Sequence, residues 1–69
     1  MSDLFKGFLA RLNAIGGSPV THENFIAIQQ IRSDILTAYT EGSLSDFEKR
    51  HLYGISSIIM DDMRNALNG

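Results

Sequence analysis

Two adjacent pairs, His22-Glu23 and Asp61-Asp62, carry metal-ligating side chains. An imidazole and three carboxylates could hold a divalent cation if the fold brought the pairs together. The spacing argues against it. An H-E-x-x-H motif sets two imidazoles on one helix face, and His22-Glu23 is not part of one. Acids and a histidine near helix ends are also common surface residues. We expect no metal. His51 offers acid–base chemistry with Glu48 or Asp62, given hydrogen-bond reach and a pocket. Glu48, however, closes the stretch Ser45-Asp46-Phe47-Glu48, a capping box that engages its carboxylate. Asp62 lies about three helical turns beyond His51. There is no Ser-His-Asp arrangement, cysteine is absent, and "NAIGGSP" (residues 13–19) is not a phosphate loop of the Walker type. The chain is therefore expected not to be an enzyme and to need no cofactor.

Arg32 is the other residue with chemical potential. It falls inside an otherwise apolar helical stripe, where a guanidinium could hold a phosphate or carboxylate by a forked contact. The plainer reading is that its aliphatic stem packs while its head reaches the edge or pairs with Asp62 or another acid.

Three helical segments must position these residues. In the first, about 2–15, Leu4, Phe5, Phe8, Leu12 and Ile15 recur at helical spacing behind Ser2 as cap; Gly16-Gly17 and Pro19 stop it. The second, about 22–40, starts after Thr21. Phe25, Ile28, Ile31, Ile35, Ala38 and Tyr39 form its stripe, with Leu36 at one margin and Ile26 well round the helix. Gly42 can take the left-handed conformation that ends it. The third runs from the capping box over about 46–68, with a stripe of Leu52, Ile55, Ile59, Met63, Ala66 and Leu67. At about 1.5 Å per residue it should be about 35 Å long. No strand pattern, repeat or low-complexity tract is present. The fold class expected is all-α: one small domain, residues 1–69, an oligomeric three-helix unit built on an antiparallel hairpin of the second and third segments. The first segment either folds back across that hairpin or packs on a second subunit.

Composition narrows the function classes. The chain has 69 residues, 43% hydrophobic and 20% charged, a net charge of −2, a pI of about 5.4 and no cysteine. Chains of this length rarely draw more than ~3–5 kcal/mol from one core, and disulfides are not available as a staple. Oligomerisation is. Six Lys and Arg lie scattered among eight acids, without the basic face of a duplex binder. No apolar run approaches the ~20 residues of a membrane span, and the N-terminus does not read as a signal peptide. A cytoplasmic location is expected.

The third segment holds too many apolar residues for one face. Phe47 and Ile58 share a flank with His51 and Asp62 between them, while Tyr53 and Met60 lie on the opposite flank. A helix apolar over more than one face is usually buried by more than one neighbour. The first segment is expected to cover the Met60 flank, leaving Phe47 and Ile58, with Ile26, for an association surface.

The stretch "LSDFEKRHLY", Leu44 to Tyr53, resembles the short turn entering a helix in the Hha/YmoA family of small helical nucleoid modulators. The likeness covers a dozen residues at best and is mostly the capping box. That family's Ala-Asp-His-Arg segment has no counterpart in "GISSIIMDDM", so no family is assigned.

The leading expectation is a non-catalytic helical protein-interaction module, a small regulator, adaptor or inhibitor of the kind phages also encode. Its partner would be itself, as a homodimer or higher oligomer, or another protein, with no nucleic acid and no membrane. Its interface residues would be Ile26, Phe47, His51, Tyr53, Ile58, Met60 and Asp62. The alternative is an oligomeric small-ligand-binding or sequestering protein with an anion site at Arg32. A DNA-binding regulator is the third reading.

Overall fold

A computed structural model describes residues 2–68. They form three helices packed against one another, α1 (Asp3–Gly16), α2 (His22–Thr40) and α3 (Asp46–Asn68), with no strand among the described residues. The bundle measures 38 × 17 × 17 Å, a long axis close to the rise of α3 at about 1.5 Å per residue.

Each helix starts at a side-chain cap. The Phe5 N–H donates to Ser2 Oγ at 3.1 Å and the Asn24 N–H to Thr21 Oγ1 at 3.0 Å. The box at α3 is reciprocal: Glu48 N–H donates to Ser45 Oγ at 3.1 Å, and Ser45 N–H to Glu48 Oε1 at 3.0 Å. These contacts satisfy donors that the first turn of a helix leaves without partners. α2 ends in a paired turn, with the Gly42 N–H on the Tyr39 carbonyl at 3.0 Å and the Ser43 N–H on the Ala38 carbonyl at 2.8 Å. Gly42 sits at φ +82°, a conformation that a Cβ would strain.

The core is built from the expected stripes. Phe5, Phe8 and Leu12 come from α1, Ile28, Ile31, Ile35 and Ala38 from α2, and Leu52 and Met63 from α3. Two expected core residues, Leu4 and Ala66, are exposed. Leu44, in the turn, is buried instead. A residue just past such a paired turn folds back over the last turn of the helix.

α1 packs on its own chain. A Cβ at Gly16 would stand 3.3 Å from Ile59 Cδ1, so α1 ends in close approach to α3. At its start, Glu48 Oε2 accepts from Ser2 Oγ at 3.0 Å and from the Ser2 N–H at 3.3 Å. Arg11 pairs with Asp34 of α2 at 2.9 Å, an exposed contact that solvent and salt screen. Between α2 and α3, Tyr39 meets Lys49 near the turn, Arg32 meets Ser56 midway, and Phe25 meets Arg64 at the far end. Among the described residues, no helix is long and apolar enough to cross a membrane.

Candidate functional site

The eight candidate residues fall into three places. Ile26 stands alone, 64% exposed. At about 100° per residue it points directly away from the α2 stripe, with the exposed Gln30, Ser33 and Thr37 around it. It does not join the α3 candidates.

Arg32, Tyr53 and Met60 lie together where α2 meets α3. Arg32 Nη1 donates to Ser56 Oγ at 2.7 Å and to Ser57 Oγ at 2.9 Å. Its guanidinium carbon sits 4.6 Å from the centre of the Tyr53 ring. The Tyr53 hydroxyl donates to the Arg32 carbonyl at 3.3 Å. Ser56 is fully buried, and its hydroxyl donates to the Tyr53 carbonyl at 2.8 Å. Arg32 therefore has neither of the acid partners considered for it; two hydroxyls and an aromatic face hold it. Met60, expected beneath α1, lies instead beside residues of α2 and α3. It is half-buried and lines a shallow groove of about 140 Å³ with Arg32, Ser57, Asp61 and Arg64. The reason is the placement of α1, which seats against the Ile59 and His51 side of α3.

The third place is the outward row of α3. With Phe47 taken as zero, His51, Gly54, Ile58, Asp62 and Asn65 all fall within about 60° of it, while Ser56 points about 180° away into the core. Phe47 and Ile58 are 65% and 66% exposed, the most exposed large apolar side chains described. The row is pre-arranged. The His51 ring stacks on Phe47 with centroids 6.4 Å apart and planes 10° from parallel, and Phe5 of α1 supports it at 5.7 Å. Stacking of this kind restricts the rotamers of both rings before anything binds. Charges border the row: Arg50 pairs with Asp46 at 2.7 Å and Arg64 with Asp61 at 3.3 Å. Asp62 has no ion-pair partner among the described residues.

His22 and Glu23 do not gather with Asp61 and Asp62; among the described residues there is no cluster of three or more side chains able to hold a metal. Glu48 stays in its capping box, so it is not paired with His51. The Ser45 backbone N–H, and then the Ser2 contacts, hold its carboxyl below the ordinary value. Arg11, and then Gln30, do the same for Asp34. An open apolar groove of about 400 Å³ runs between α1 and α2 beside Ile15, Ala27 and Ile31. Its one charged side chain, Arg11, is already committed to Asp34.

Sequence reasoning missed Ser56 and Ser57 as the partners of Arg32. A serine within an apolar stripe, one turn from Leu52 and Ile59, was the available signal. No protein-family model, curated protein or solved structure matches the chain.

Proposed function

We propose that the protein is a non-catalytic helical interaction module that meets a protein partner through the outward row of α3. It acts as a small regulator, adaptor or inhibitor. The scaffold is an antiparallel hairpin of α2 and α3, a geometry supported by the order of their contacts from Tyr39–Lys49 to Phe25–Arg64. The observation that carries the reading is the shared exposure of Phe47 and Ile58 on one row. Two apolar anchors about 16 Å apart along a helix, bordered by charges, match the side-chain pattern that helix-face docking uses. Isolated exposed apolar residues need no explanation, but two aligned on a rigid element mark a contact surface. Replacing Ile58 with a photo-reactive benzoylphenylalanine in the native host tests this. The expected result is a protein adduct at position 58 and none at the control position Ser33. Equal labelling at both positions, or none at either, would contradict it.

One observation favours a second reading. Arg32 lacks a carboxylate partner among the described residues and shares a groove with Arg64. A phosphate or carboxylate bound there would raise the melting temperature of the wild-type chain and not that of Arg32→Ala.

A further inference from the structure

We propose that the partner of the α3 row is a second copy of this chain, bound α3 against α3 in opposite directions about a two-fold axis level with Ser56. The proposal rests on the reading of that row as a protein contact surface and names its occupant.

The row is self-complementary in one register. A two-fold interface brings the same patch of both copies together, so each residue must find a suitable partner on the same helix counted from the other end. Phe47 and Asn65 lie nine residues either side of Ser56, on the centre line of the row. Gly54 and Ile58 lie two residues either side. In the proposed pair, Ile58 of each copy settles over Gly54 of the other, and Phe47 covers the helix end at Asn65. Opposed helices also meet flank to like flank. One flank carries His51, five residues before Ser56, and Asp62, six after. An imidazole N–H of one copy then donates to the carboxylate of the other. The opposite flank carries Arg50, six before, and Asp61, five after. That places Arg50 and its Asp46 beside Asp61 and Arg64 of the second copy, a four-charge network in which opposite signs alternate. Within about 60° of the centre line, Arg50 and His51 precede Ser56, and Asp61 and Asp62 follow it. A parallel pair would set Asp61 and Asp62 against themselves and Arg50 against itself, a repulsive arrangement.

Gly54 is an independent observation. A Cβ there would meet nothing within 4 Å in the chain itself, and its φ is not positive. A glycine inside an exposed helix costs about 1 kcal/mol relative to alanine, and nothing within this chain requires it. Close approach of another helix would, and Gly54, unlike the equally open Gly7 of α1, lies in the seam two residues from the proposed axis.

One helix pair is smaller than the ~800 Å² per partner of a standard interface, so the dimer is a reversible one. The chain has no cysteine, which makes single thiols unambiguous reporters. Purified Phe47→Cys and Asn65→Cys chains are oxidised separately and mixed, with helicity checked by circular dichroism. The mixture should form the 47–65 disulfide, and each chain alone should not, because identical positions are then about 27 Å apart along the helices. A disulfide between two Phe47→Cys chains, or none in the mixture, overturns the register. In parallel, sedimentation of the unaltered chain should show a dimer, Asp62→Lys should weaken it about tenfold, and adding His51→Glu should restore it. A wild-type chain that stays monomeric to about 1 mM, or a double variant no better than Asp62→Lys, overturns the second copy as occupant. If position 58 still gives adducts in the host, the surface stands and only its occupant changes.

Discussion

Arg32 shows how one side chain can be read two ways until its partners are known. Its guanidinium caps the buried Ser56 hydroxyl, binds Ser57 and lies on Tyr53. Removing it strips a charge-assisted bond from a fully buried oxygen. Arg32→Ala should therefore cost about 1–2 kcal/mol even without any ligand, a fall in Tm of roughly 4–8 °C per kcal/mol for a domain this size. Thermal melts check this, with Ser57→Ala as a milder control. An unchanged Tm would leave Arg32 without a structural task and favour the anion reading. Glu48 belongs to the same scale. Its folded pKa is depressed, by the Ser45 N–H first and the Ser2 contacts next. Such a group contributes stability that is present above its unfolded pKa and lost as pH falls through the folded value. Asp34, held down by Arg11, adds to the same acid limb. Urea unfolding from neutral pH downward should show stability falling below the ordinary carboxylate range. Glu48→Gln should flatten that fall and lower stability at pH 7.

At the scale of elements, α3 serves two purposes along one length. Its inner face supplies Leu52, Ser56 and Met63 to the core, and its outer row holds Phe47, Gly54 and Ile58 in solvent. The two helical glycines with open space around them, Gly7 in α1 and Gly54 in α3, separate these purposes. Gly7→Ala and Gly54→Ala should each stabilise the folded chain by about 0.5–1 kcal/mol through helix propensity. Only Gly54→Ala should weaken self-association, because its methyl enters the helix seam. Chemical denaturation and sedimentation of the two variants read these effects apart; equal association by both would remove Gly54 from the interface. The helices themselves were legible in the sequence because their signals are local. Period-3.6 stripes, the Ser45–Glu48 box and Gly42 each act within a few residues. The placement of α1 was not legible. It depends on Phe5 meeting His51, Gly16 meeting Ile59 and Ser2 meeting Glu48, contacts that no local pattern encodes. That is why Met60 came out beside Arg32 rather than under α1. The exposure of Phe47 and Ile58 was legible, since their wheel positions leave the α3 stripe regardless of which helix covers the flank.

For the whole molecule, size sets the terms. A chain of 69 residues buries only ~60% of the surface it exposes when unfolded and works with a thin margin of stability. Burying Phe47 and Ile58 against a second copy would couple folding to concentration, as binding to the folded state always does. We propose that the outward row of α3 is where this protein meets its partner, a second copy of itself. The most direct test is a dilution series of amide NMR spectra of the unaltered chain. The expected result is concentration-dependent shifts confined to the row from Phe47 through His51, Gly54 and Ile58 to Asn65, with Ile26 and the groove between α1 and α2 unmoved. Spectra that do not change with concentration, or shifts centred on Ile26 or that groove, would contradict it.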